Sequence, residues 1–168
     1  DEPVQKVLPW FEMPDASFSR KPNMRDTLLH NTGLGGDADL LWLRGDLNSR
    51  QILEHVRNLT PAYTPYSSFN YSNVMYQLAG ELVSTASGMS WEKFVETRIM
   101  APLGMTESSP TYAGMLAQGD KNVSAAHFEI KGRYKQIDDG TVDGVPAAGA
   151  AWSSATDMAL WMKFLLDG

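Results

Sequence analysis

Residues 69–105 constrain the fold most tightly. Val74, Met75, Leu78, Ala79, Leu82, Val83 and Ala86 recur at three- and four-residue steps, the period of a helix that buries one face. Ser72 or Asn73 suits the cap of its first turn, and Gly88 suits the left-handed residue that closes it. A second helix is offered a cap at Ser90. It is expected to bury Trp91, Phe94, Val95 and Ile99 and to stop before Pro102, whose ring and missing N–H break helices. Tyr71 then stands just outside a helix N-terminus, where the macrodipole favours negative charge. A tyrosine in that place is either a phenolate-forming base or plain packing, and the spacing alone leaves both readings open.

The remaining segments are shorter. Residues 1–11 offer one helical turn broken at Pro9, with Trp10 and Phe11 expected inside, and residues 12–22 carry the turn signals Pro14, Asp15 and Pro22. Asn23 and Asp26 form a box-like cap on a short helix that ends near Asn31, Thr32 and Gly33. His30, on its last turn, reads as a C-terminal capping cation in preference to a catalytic histidine. Residues 37–47 read as a loop. Asn48 or Ser49 opens a helix to about Thr60 with Ile52, Leu53, Val56 and Leu59 on one face. Residues 61–68 are extended, because residues before proline avoid the helical region. A short helix is expected from Tyr112 to Gln118, a hairpin over 124–137 turning at Lys131-Gly132, and a loop over 138–150. Ser154 caps the last helix, whose apolar face is Met158, Trp161, Met162 and Leu165. Nothing alternates strand and helix as a parallel sheet requires. The fold class is mainly α with a small β-hairpin, in one domain over 1–168.

Charge and composition exclude several functions. A net charge of −6, with no basic run longer than Arg20-Lys21, argues against a nucleic-acid partner, since phosphate binding needs concentrated positive charge. No apolar run approaches the length that crosses a bilayer. The chain has no cysteine, hence no disulfide framework and no thiolate metal site. His30, His55 and His127 share no metal spacing on one helix, so neither metal nor cofactor is expected. The Gly-x-Ser-x-Gly elbow, the phosphate loop and the dinucleotide fingerprint are all absent. The one Ser-x-x-Lys, Ser90 to Lys93, reads as a helix cap followed by a lysine on a polar face. The chain starts at Asp1 and stops at Gly168 after a strong helix, so both ends are expected to be cuts inside a longer protein.

Several stretches, taken in order, resemble one family. Asp1 to Phe11 resembles the segment after a nucleophile-bearing helix. MRDTLLHNTGL (24–34) resembles an "LLtHtSGL" turn with Asn31-Thr32 in place of Thr-Ser. Phe69 to Asn73 holds a Tyr-x-Asn motif, and Gly88 to Met105 an "I-PLGM" block. PAAGAAWSSATDMALWMKFLLDG (146–168) resembles an "aaGg-sSa-DlarW" segment. Each match is weak alone, but their ordered combination is specific. The chain resembles the central, mainly helical segment of the serine β-lactamase and penicillin-binding-protein-like hydrolases, the branch related to class C β-lactamases.

The resemblance implies a helical subdomain of a transpeptidase-like fold, lacking the main antiparallel sheet. It also implies a parent that cleaves an amide or ester through a seryl acyl-enzyme. Tyr71 would be the general base, and Asn73 would bind the substrate's amide or the nucleophile-side lysine. The nucleophilic Ser-x-x-Lys and the Lys-Thr-Gly or His-x-Gly strand are not in these residues, so the piece alone is expected to be inactive. Expected partners are a small-molecule or peptide substrate and the missing α/β domain, with self-association through the interface left exposed around Tyr71. The family favours a periplasmic or secreted location. The alternative is a non-catalytic binding or scaffolding module, in which Tyr71 and Asn73 are structural.

Overall fold

A computed structural model describes residues 2–119, 122–137 and 142–167. Along the chain run α1 (Val4–Val7), α2 (Met24–Leu28), α3 (Leu40–Leu43), α4 (Ser49–His55), α5 (Asn73–Ser87), α6 (Trp91–Val95), α7 (Ala101–Leu103) and α8 (Tyr112–Ala117). Strands β1 (His127–Ile130) and β2 (Arg133–Gln136) follow, then α9 (Pro146–Gly149) and α10 (Ala155–Asp167). The described residues are mainly helical with one two-stranded antiparallel sheet, as the sequence implies.

The core is built on α5. Its Val74, Met75, Leu78 and Leu82 join Val4, Leu8 and Phe11, then Ile52, Leu53 and Val56 of the α4 region, in one buried cluster. Each fully buried Leu, Ile or Val side chain there contributes roughly 1.5–3 kcal/mol. The predicted caps are in place. Ser72 Oγ accepts from the Met75 amide at 3.4 Å, and Gly88 closes the helix at a φ of 69°. Asn23 and Asp26 form the expected reciprocal box, and the Asn48 and Gln51 side chains form a second one on α4. An added Cβ at Gly80 would lie 2.4 Å from the Ala147 Cβ and 3.3 Å from Trp91 Cδ1. Only glycine lets α5 approach α9 so closely. Buried Gln77 ties the same contact, its Oε1 accepting from the Ala147 amide at 3.2 Å.

Some expectations need correction. Residues 37–47 are not one loop: a 3₁₀ turn over Gly36–Asp39 runs into α3. The loop expected over 138–150 is cut short by α9, which Pro146 starts with its fixed φ; residues 138–141 lie outside the described residues. The second long helix does not stop before Pro102. It widens into a π turn over Glu96–Met100, where the Ala101 amide reaches back to the Glu96 carbonyl, and ends at Gly104 with a φ of 73°. The widened turn accommodates the proline's ring and missing donor. Trp91, Phe94, Val95 and Ile99 are only half-buried, and Met100 takes the core position. Trp10 is also half-buried, under the Arg50 guanidinium at 3.3 Å.

The hairpin turns where expected, with His127 opposite Gln136 and Ile130 opposite Arg133. Lys131 and Gly132 turn at φ of 52° and 74°, the left-handed pair that a tight right-twisted hairpin needs. α10 is anchored at its start, where the buried Asp157 carboxylate accepts from the Glu107 amide at 2.8 Å and the Ser108 hydroxyl at 2.7 Å. Its apolar face, however, is not buried. Met158, Met162, Phe164, Leu165 and Leu166 are exposed, Leu166 at 82%. The periodicity is real, but among the described residues α10 packs chiefly on α7. No helix of the described residues is long and apolar enough to cross a membrane.

Candidate active site

The site is assembled where two backbone segments meet the first turn of α5. Leaving α2, the chain turns left-handed at His30 (φ 56°) and again at Gly33 (φ 86°). A Cβ on Gly33 would lie 2.5 Å from the Tyr63 carbonyl, so no larger residue fits there. Residues 61–70 run along this turn. The amides of Ala62, Tyr66 and Asn70 donate to the carbonyls of Gly33, Asn31 and His30 at 2.9, 2.8 and 2.7 Å. The Asn70 Nδ2 donates to the Leu34 carbonyl at 2.7 Å. This ladder delivers Tyr71 to the mouth of α5.

Tyr71 is 55% exposed, so its side chain is not sealed in the core. Its ring rests on His30, with centroids 4.6 Å apart and planes tilted by 36°. His30 is itself buried, stacked on Tyr76 at 4.9 Å and met edge-on by Phe69 at 5.4 Å. The Ser72 amide donates to His30 Nδ1 at 3.2 Å, which places the ring proton of the neutral imidazole on Nε2. Burial lowers the His30 pKa below its ordinary value and favours that neutral, accepting form. The expected cationic helix cap is therefore corrected: His30 is a neutral acceptor under the Tyr-x-Asn element. Sequence reasoning missed this because the two partners are 42 positions apart; the only hint was the aromatic density of Phe69, Tyr71 and Tyr76.

Asn73 opens α5 and lines a recess of about 80 Å³ with Trp42, Val142, Val145, Ala148 and Gly149. Its Nδ2 donates to Asp39 Oδ2 at 2.8 Å. Asp39 was likewise not singled out from the sequence, for the same reason of distance along the chain. A larger recess, of about 420 Å³, lies between residues 13–18 and 61–65 and touches neither Tyr71 nor Asn73. Ser90 and Lys93 stay outside the site. Ser90 Oγ accepts from the Lys93 amide at 3.2 Å as a cap, and Lys93 Nζ pairs with Glu96 at 3.0 Å on the surface. Among the described residues no cluster of His, Asp or Glu suits a metal ion. The arrangement puts an accessible phenol two residues ahead of a carboxamide at the positive end of a 15-residue helix.

A family model, Beta-lactamase, matches residues 1–168. Among curated proteins, a putative D-alanyl-D-alanine carboxypeptidase of Escherichia coli (strain K12) is 28% identical over 197 aligned residues, covering 100% of this chain and 44% of that protein. Penicillin-binding protein 4 of Amycolatopsis lactamdurans is 29% identical over 108 residues, 64% of this chain and 28% of its own length. The chain thus spans less than half the length of these relatives. Solved structures share its fold, two of them as follows. A D-stereospecific amidohydrolase from Streptomyces sp. has a TM-score of 0.78 at 24% identity, covering 100% of this chain and 53% of its own. An octameric penicillin-binding protein homologue from Pyrococcus abyssi has a TM-score of 0.78 at 24% identity, over 99% of this chain and 39% of its own.

Proposed function

Because this chain belongs to the Beta-lactamase family, we propose that it is the helical part of a serine hydrolase that cleaves an amide or ester through a seryl acyl-enzyme. In this reading Tyr71 is the general base. It takes the proton from the serine hydroxyl as Oγ attacks the carbonyl, and returns it to the leaving nitrogen or oxygen as the carbonyl re-forms. Asn73 holds the substrate's amide or the lysine beside the nucleophile. The serine, that lysine, the oxyanion hole and the sheet strand carrying the last motif are assigned to the remainder of the parent protein, so the 168 residues alone do not turn over substrate. The names of the relatives favour a substrate with a D-residue on its acyl side.

The observation that carries the reading is the placement of Tyr71: exposed, seated on His30, and at the N-terminus of α5 beside Asn73. A phenol titrates near 10 in water and serves as a base at neutral pH only where positive charge stabilises its anion. In this reading that charge is supplied by the lysine beside the nucleophile, in the remainder of the parent protein.

The test uses the full-length parent. It is expected to be labelled by a fluorescent penicillin or a fluorophosphonate. Tyr71→Phe is expected to lower kcat by about 10²–10⁴ while the unfolding midpoint stays put. Undiminished turnover in Tyr71→Phe would reject the assignment and favour a structural role for the Tyr-x-Asn element.

A further inference from the structure

His30 is a buried, titratable side chain that the proposed chemistry leaves without a task. Its backbone is left-handed at a φ of 56°, a conformation uncommon outside glycine that persists where the surroundings over-determine it, as they do at functional sites. The turn brings one residue against the chain on either side of Tyr71. The His30 carbonyl accepts from the Asn70 amide at 2.7 Å, and His30 Nδ1 accepts from the Ser72 amide at 3.2 Å. Between those two bonds the phenol ring lies against the imidazole, with centroids 4.6 Å apart. Ser72 is itself buried, and its Oγ accepts from the Met75 amide at 3.4 Å. The chain just after Tyr71 is thus pinned to His30 through one atom and to α5 through another.

The three contacts restrain different freedoms. The two amide bonds tie the peptide units flanking Tyr71 and so fix where its Cα sits. The ring contact restrains the side chain, which at 55% exposure could otherwise choose among staggered rotamers. The imidazole is not free to yield, because it is stacked on Tyr76 at 4.9 Å and met edge-on by Phe69 at 5.4 Å. Burial favours its neutral form, and only that form offers Nδ1 as an acceptor. A base must come within hydrogen-bond reach of the proton it takes, and a misplacement of about 1 Å can cost about 10²-fold in rate.

We infer that His30 is a positioning residue that clamps Tyr71 with its carbonyl, its Nδ1 and the face of its ring, and so holds the phenol where the base must stand. The inference rests on the proposed hydrolase reading, in which Tyr71 is that base. His30 takes and gives no proton; it acts only through Tyr71.

The experiment is a double-variant cycle on the full-length parent, with nitrocefin and p-nitrophenyl acetate as probes. His30→Asn tolerates the left-handed backbone and removes the ring and Nδ1. On the probe that is turned over it is expected to lower kcat by about 10- to 100-fold, with KM within about threefold of wild type. In a Tyr71→Phe background no phenol is left to place, and the same substitution is expected to cost less than about threefold further. Equal losses in the two backgrounds, or a kcat within about twofold of wild type, would overturn the inference. The clamp is read apart from turnover by hydrogen exchange of the Ser72 amide. Protection that disappears in His30→Asn supports it, and solvent-like exchange in the wild type refutes it. If the wild type turns over neither probe and takes no label from a fluorescent penicillin or a fluorophosphonate while the Ser72 amide is protected, the hydrolase reading and the positioning role fall together and the clamp stands as structure alone.

Discussion

Replacing His30 with asparagine isolates what its ring contributes. Asparagine tolerates the left-handed φ of 56° that the position demands, so the backbone is spared. What goes is the ring, which touches Phe69, Tyr71 and Tyr76, together with the acceptor for the Ser72 amide. Aromatic contacts contribute about 0.5–1.5 kcal/mol per pair beyond buried area, and an orphaned buried N–H costs about 1–3 kcal/mol. These terms overlap because they share one ring, so a total loss of about 2–4 kcal/mol is expected. Urea denaturation followed by tryptophan fluorescence measures it on the parent protein. The effect carries its own pH signature. His30 has a lowered pKa when folded, so the folded state binds fewer protons than the unfolded chain. Its contribution is complete above the unfolded histidine value of about 6.5 and is lost as pH falls through and below that value. The gap between wild type and His30→Asn should therefore be widest at neutral pH and shrink on acidification. A gap under about 1 kcal/mol at neutral pH, or one that widens in acid, would refute the account of His30 as a neutral acceptor.

Asp157→Ala strands the Glu107 amide and the Ser108 hydroxyl that the carboxylate now receives. A loss of about 2–4 kcal/mol is expected, with the amides of α10 exchanging faster than those of α5; equal protection of both helices would count against the anchor. Met162, Leu165 and Leu166 are exposed on α10, and Phe69 is exposed near Tyr71; through such apolar surfaces we propose that the isolated 168-residue chain self-associates. Sedimentation velocity is expected to show association that weakens in a Leu165→Glu, Leu166→Glu double variant, and a concentration-independent monomer would dismiss the proposal.

What the sequence made legible was local. The period of α5, the caps at Ser72, Asn23 and Ser90, the stop at Gly88 and the hairpin turn at Lys131-Gly132 are each set by neighbours within a few residues, where propensity and capping rules apply. The Tyr-x-Asn pair was legible for the same reason. Its supports were not: His30 meets Ser72 and Asp39 meets Asn73 only after the chain has folded back. The pattern on α10 identified an apolar face but not whether anything covers it, since periodicity reports a preference and not a partner. Pro102 misled because the breaker rule assumes the regular i→i−4 ladder, and the π turn ahead of it departs from that ladder.

That departure makes segment length matter in an unexpected place. A π turn holds one more residue than the α turn it replaces, so deleting any one of residues 96–100 would rewind the stretch to regular pitch. The two turns sweep about the same angle, so everything downstream would keep its facing. Pro102 would, however, meet an unwidened turn, where its ring opposes the carbonyl four residues back. A one-residue deletion here is thus felt at Pro102 and not in the facing of the residues beyond it.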